Sequence, residues 1–263
     1  MKSFVLILSV CLVLCATGAM AGTISVTENF DGMAAGTTPP SGWSVLNQAS
    51  GSPNDKTLWT ASNPIVQTGV TMNTVTPLTP NDSPTGNNNN GYNALGASGL
   101  TGDRCIATAP TGIASVAIQS PALLNTSGGA VSSFNISYDI KRFTAGSAGA
   151  DELPGYWLFY SLDNTNWTNV SALNPTLSNV PNSVGLTNIP STSVSLSAPW
   201  AILSPLYLRW VDDNGIPSSP DQIIGLDNVH LTAESVPEPT TISLALAGLV
   251  GLVFTAYRRR RVG

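Results

Sequence analysis

The side chains in this sequence that could do chemistry are one histidine, one durable cysteine and scattered carboxylates. The histidine, His230, follows Asp227 by three residues. A Ser–His–acid triad needs a serine presented to the imidazole and a buried acid behind it, and no Gly-x-Ser-x-Gly elbow presents one. Of the three cysteines, Cys11 and Cys15 lie in an N-terminal apolar run, which leaves Cys105. Cys105 and His230 fall short of the three or four ligands that zinc takes. Cys105 closes no intrachain disulfide and stands as an unpaired structural thiol or a link to another chain. Asp151-Glu152 and Asp212-Asp213 are acidic doublets, but neighbours on a strand point to opposite faces. Neither doublet alone makes the facing carboxylates, about 5–9.5 Å apart, of a glycosidase. Neither Gly-x-x-x-x-Gly-Lys nor Gly-x-Gly-x-x-Gly, the phosphate-cradling loops, occurs. The expectation is a protein that is not an enzyme; a glycoside hydrolase with a cleft pair drawn from separate strands is the weakest alternative.

Whatever these residues do, they lie between two terminal signals. At the front, Lys2 supplies a positive charge, Phe4 to Leu14 an apolar stretch, and Ala19-Met20-Ala21 a small-x-small cleavage site. That order is an export signal, residues 1–21, and it makes Gly22 the first residue of the mature chain. Lipoprotein processing at Cys15 or Cys11 is disfavoured by the bulky Leu14 and Val10 before them. At the back, Val236-Pro237-Glu238-Pro239 is a stiff spacer, because proline fixes φ and removes a backbone donor. Residues 240–257 are apolar and uncharged, then Arg258, Arg259, Arg260 and Arg261 follow at once. A run of that length reads as a transmembrane helix whose end the arginines hold in the cytoplasm by the positive-inside rule; a plain tail anchor is the rival reading, and the absence of a polar face disfavours a core helix.

The body, residues 22–235, carries five Lys and Arg against fourteen Asp and Glu, a formal net charge of −9. With no basic patch it excludes nucleic acid as a partner. Its length fits one domain. Thr, Ser, Asn, Gly and Pro are abundant, helical periodicity is absent, and strand-like runs recur. Residues 23–30 place Ile24, Val26 and Phe30 on one side; 113–119 are apolar; Phe134, Ile136, Tyr138 and Ile140 alternate with polar neighbours. Residues 156–160 are aromatic-rich, as in a strand buried on both faces, and 206–211 and 223–232 follow. Short strands with no interleaved helices predict an all-β antiparallel sandwich. Residues 76–92, with Pro77, Pro80, Pro84 and four consecutive asparagines, predict an exposed loop. So does the polar, proline-punctuated stretch 173–194, with at most one weak strand.

Two resemblances add to this. The tail, with its Val-Pro-Glu-Pro, apolar helix and terminal arginine cluster in order, resembles the PEP-CTERM sorting signal of bacterial exported proteins. That resemblance implies an exosortase-type enzyme as partner, besides the export signal peptidase, with membrane anchoring before sorting and release to the envelope, surface or extracellular matrix. In the body, Glu28-Asn29-Phe30-Asp31-Gly32, Pro39-Pro40-Ser41-Gly42-Trp43, Leu58-Trp59, residues 158–168 and Ile224-Gly225-Leu226-Asp227-Asn228-Val229 fall in an order that resembles the MAM-like, concanavalin-type jelly roll of cleaved-adhesin domains. The resemblance implies adjacent first and last strands and a structural calcium near them. Glu28, Asp31, Asp227 and Asn228 are the oxygen donors for it, although no Asp-x-Asp-x-Asp-Gly loop is present; the alternative is that they are solvated turn residues. Trp43, Trp59 and Trp157 either fill the core or stack on sugar rings. Residues 161–167 resemble a sialidase Asp-box without its glycine, itself a structural hairpin. The combined expectation is an exported, structural or adhesive surface or matrix protein, with a carbohydrate-binding module as the alternative.

Overall fold

In the computed structural model the described residues are 22–48, 72–75, 77–111, 115–145, 155–176, 180, 183–213 and 222–235. The expected export signal with Ala19 and Ala21, Trp59, Asp151-Glu152, and the tail 236–263 with its expected membrane span and arginines lie outside them. Among the described residues no helix is long and apolar enough to cross a membrane.

Among the described residues fourteen strands form: β1 (Thr23–Glu28), β2 (Ser44–Gln48), β3 (Met72–Val75), β4 (Thr79–Pro80), β5 (Asn88–Leu95), β6 (Arg104–Ala109), β7 (Ser115–Gln119), β8 (Leu123–Leu124), β9 (Val131–Thr144), β10 (Trp157–Ser161), β11 (Thr168–Asn169), β12 (Gly185–Trp200), β13 (Pro205–Asp213) and β14 (Ile223–Glu234). They build two sheets, ordered β12-β9-β14-β6-β5-β4 and β11-β10-β13-β7-β2-β3, with β1 added to β14 and β8 to β13. Every pairing is antiparallel except β4 with β5. The all-β, two-sheet sandwich expected from the strand pattern is what forms.

The core follows from the alternation. Phe134, Ile136, Tyr138 and Ile140 of β9 are buried, as period two requires. They meet an aromatic column from both sheets. Trp43 stacks on Trp210 at 5.8 Å between centroids, with the Phe30 edge 4.9 Å from Trp43 and Tyr138 edge-on to Trp210 at 5.9 Å. Offset-stacked and edge-on pairs add about 0.5–1.5 kcal/mol each beyond their buried area. Strand β10 is buried on both faces: Leu158 and Tyr160 enter the main core, while Trp157 and Phe159 join Ala117, Trp167 and Val211 in a second cluster.

Two loop expectations are corrected. Residues 76–92 contain β4 and the start of β5. Asparagine side chains supply the pairing there: Asn89 Nδ2 donates to the Thr111 carbonyl and Thr111 N–H to Asn89 Oδ1, at 2.8 Å each. A polar run can therefore join a sheet without apolar residues of its own. The stretch 173–194 holds most of β12, a full edge strand pairing with β9. Strand β12 buries only Ile189, Val194 and Trp200, so its pattern is too sparse to read as alternation, and Pro190 sits at a register shift on this edge, where proline is tolerated.

Register sorts the connections to two ends. At one end lie Gln48↔Met72, Asp213↔Ser115 and Ile223↔Thr144, so the strands that border 49–71, 112–114, 146–154 and 214–221 all stop there. At the other end lie Thr23↔Glu234, Trp200↔Val131 and Pro205↔Leu124.

Candidate functional site

The second end is where the body hands over to the tail, and it is tightly tied. Ser235 N–H donates to the Gly22 carbonyl at 3.1 Å, Gly22 N–H to Ser235 Oγ at 3.2 Å, and Ser235 Oγ to the Ser127 carbonyl at 3.1 Å. Ser127 is held by the fully buried Asn125, whose Oδ1 accepts from Ser127 N–H and Oγ and whose Nδ2 donates to the Gly129 and Trp200 carbonyls. One asparagine thus joins the 125–129 loop to the end of β12. Both Gly22, the expected first mature residue, and Ser235, the last residue before the spacer, are fixed side by side.

Halfway up β14 the strand is flanked first by β1 and then by β6, and the expected calcium ligands meet this seam. Asn228 takes φ 49° at a register shift in β14. Fully buried Asp227 accepts the Ala97 and Asn228 N–H groups at 2.7 Å each. Asn228 Nδ2 donates to Asp139, Asp31 Oδ1 accepts the Arg104 N–H, and Glu28 caps the Phe30 N–H. Four donors are thus brought to one region but engaged in separate hydrogen bonds. No group of three or more His, Cys, Asp or Glu among the described residues is arranged to hold a metal ion. The calcium expectation gains nothing from this geometry, because the carboxylates of Glu28, Asp31 and Asp227 already accept N–H groups.

Residues that sequence reasoning missed complete the seam. Asp103 accepts the Ser98 N–H, and a Cβ added at Gly96 would collide with the Asp103 and Asp227 carboxylates together. Lys141 Nζ donates to the Leu95 and Gly96 carbonyls. Burial pushes the Asp227 carboxyl up to about 6, aided by Asp103 and Asp139 and opposed by its two N–H donors. Arg104 is buried, ion-paired with Asp82 at 2.8 Å and bonded to Asn93 through Nε and Nη2. Asn93 in turn donates to the Ala34 and Gly36 carbonyls. The glycine between two future carboxylate neighbours was the only local signal, and it points nowhere without the fold.

The remaining candidates resolve individually. Trp43 and Trp157 are buried, at 8% and 0% exposure, and Trp157 Nε1 donates to Asp213. Neither offers an indole face to a sugar, which corrects the stacking expectation for these two. His230 lies on the surface of β14 with Ser25 Oγ 3.5 Å from its Nε2; among the described residues no carboxylate bonds to its ring, so the pair lacks the acid of a triad. Asp212 and Asp213 do point apart. Asp212 accepts from Thr108 Oγ1 at 2.6 Å inside the sandwich, and Asp213 from Trp157 in the second cluster. Asp163 closes the 161–167 hairpin: the Asn166 and Thr165 N–H groups hold its carboxyl well below the usual range, and Trp167 packs under the Arg209 guanidinium at 3.9 Å. A shallow hollow of about 150 Å³ between Tyr160, residues 168–172 and residues 193–195 carries no carboxylate, histidine or lysine.

Comparison with known proteins locates likeness in the tail. No curated protein matches the chain. Among solved structures, the K3 cleaved adhesin domain of Lys-gingipain from Porphyromonas gingivalis w83 aligns over 78% of this chain and 97% of its own, at 14% identity and TM-score 0.35. The Agl-KA catalytic domain aligns over 86% of this chain and 31% of its own, at 14% identity and TM-score 0.28. Residues 235–261 match the PEP-CTERM protein-sorting motif. The match begins at Ser235, the residue on which the sandwich closes. This chain therefore carries a PEP-CTERM protein-sorting motif, which marks a bacterial protein for export and sorting to the cell envelope or surface and implies processing by an exosortase.

Proposed function

We propose that the chain is a non-catalytic surface or extracellular-matrix protein whose sandwich is the structural or adhesive element and whose tail is a transient membrane anchor cut during sorting. The observation that carries this reading is the sorting motif beginning where the body ends, at Ser235. The sandwich is closed by Gly22 and Ser235 against each other, so the bonds that close it lie within residues 22–235. The non-catalytic part is supported by the engagement of Asp212 and Asp213 in internal hydrogen bonds and by the incomplete Ser25–His230 pair.

The strands that border 49–71, 112–114, 146–154 and 214–221 end opposite the tail. An anchor at Ser235 would thus turn that rim outward, where a matrix component or polysaccharide would be met. Intact mass of the protein recovered from the envelope or medium of its cells tests the reading. A species that starts at Gly22 and ends near Pro239 is expected. A full-length intracellular chain would overturn it.

A further inference from the structure

We infer that the chain-exit end of the sandwich lies on the lipid surface, through an apolar patch made by Leu124, Ile202 and Leu203. The inference rests on the proposed reading of 240–257 as a membrane span and adds which face of the body meets that membrane. Six large apolar side chains are exposed among the described residues, and three of them gather here: Leu124 at 51%, Ile202 at 51% and Leu203 at 70%. They are brought together by the pairing of Leu124 with Pro205, and by Leu203 N–H on the Asn125 carbonyl at 2.9 Å. The same Asn125 holds Ser127, to which the exit residue Ser235 is bonded. Patch and exit point therefore belong to one hydrogen-bonded unit.

Three observations select lipid as the occupant. The spacer between Ser235 and residue 240 is four residues long and contains two prolines, so the five steps from Ser235 to residue 240 span at most about 18 Å. Once residue 240 enters the bilayer, this end cannot stand far from the headgroups. Second, residues 121–130 and 197–205 contain no charged side chain although the body is strongly acidic. Glu234 beside the exit and Asp163 in the 161–167 hairpin are the carboxylates toward this side. Third, Leu203 has φ 58° in the 201–204 turn. That conformation is normally given to Gly or Asn, yet an exposed leucine occupies it, and such a backbone outlier points to function.

The test uses the full chain with Cys11→Ser and Cys15→Ser, labelled at Ala201→Cys with a polarity-sensitive fluorophore and inserted into phosphatidylethanolamine–phosphatidylglycerol vesicles. Ser183→Cys, toward the opposite end, is the control; Cys105 is buried and stays unlabelled. The expected result is quenching at 201 by a lipid-phase quencher with protection from aqueous iodide, and the reverse at 183. Replacing Leu124→Ser, Ile202→Ser and Leu203→Asn together should abolish lipid-phase quenching at 201 while the chain still sediments with vesicles. A chain that inserts but leaves position 201 open to iodide overturns the inference alone. Protection from both quenchers would place a protein on the patch and overturn the lipid assignment. A chain that fails to sediment removes the membrane-span reading and the inference with it.

Discussion

Asp227 offers the sharpest test of the seam. Its carboxyl is fully buried beside Asp103 and Asp139, and burial lifts its pKa from the ordinary 3.8 to about 6. The folded state then binds a proton that the unfolded state releases. Above pH 6 both states are ionised and the native state bears the full cost of a buried charge. As pH falls from 6 toward 3.8 the native carboxyl takes up its proton first, and stability from this group rises; below 3.8 the gain is complete. At about 1.4 kcal/mol per pH unit, the gain is about 3 kcal/mol. Asp227→Asn keeps the shape and removes the titration, although its amide can accept only one of the two N–H donors from Ala97 and Asn228, which costs about 1–2 kcal/mol at all pH values. The measurement is urea unfolding of both proteins followed by tryptophan fluorescence, between pH 7.5 and 4 in the presence of chelator. The stability difference, wild type minus variant, should grow by about 2–3 kcal/mol toward low pH. A difference constant across that range would refute the claim that Asp227 is held as a buried, charge-crowded acid.

Four further outcomes follow from the same geometry. Arg104→Leu should cost about 3 kcal/mol by urea unfolding: it orphans the buried Asn93 Oδ1, whereas Asp82, 59% exposed, returns to water. Gly225→Ala should destabilise by about 2 kcal/mol, since its Cβ would lie 2.6 Å from Cys105 Sγ and 3.3 Å from the Phe143 ring; a melting temperature equal to wild type would show that the sheet can give way there. Burial pushes the Cys105 thiol well above its ordinary range, so iodoacetamide should label it only when denaturant unfolds the chain, and labelling of the native protein at pH 8 would contradict its placement. Thermal unfolding should be the same with EDTA as with millimolar calcium, because the oxygens of Glu28, Asp31 and Asp227 already accept hydrogen bonds; a calcium-dependent rise would restore the metal site.

The legible parts of the chain were those in which local chemistry is enough. Phe134, Ile136, Tyr138 and Ile140 alternate because β9 has one face in the core, and the aromatic β10 shows no alternation because both its faces are covered. The same logic fails for β12, whose edge position leaves most residues solvated, and for Asn88 to Asn90, where side-chain amides do the pairing. Trp43 was ambiguous for a related reason. A tryptophan after a Pro-Pro-Ser-Gly turn is compatible with core or surface until Trp210 and Phe30, far away in sequence, are shown to enclose it. Asp103 and Arg104 were missed because their partners, Gly96, Asp227, Asn93 and Asp82, come from other strands and loops.

The acidic charge of the body and the sorting motif at residues 235–261 are properties of residue order, so the sequence alone carries them. Which carboxylate is buried, which tryptophan is hidden and which end of the sandwich releases the tail depend on strands that meet across more than a hundred residues, such as β1 with β14. Those pairings exist only after the two sheets close on one another. Burial, charge crowding and the shared end of Gly22, Ser235 and the apolar turn at 201–204 were therefore decided by tertiary structure.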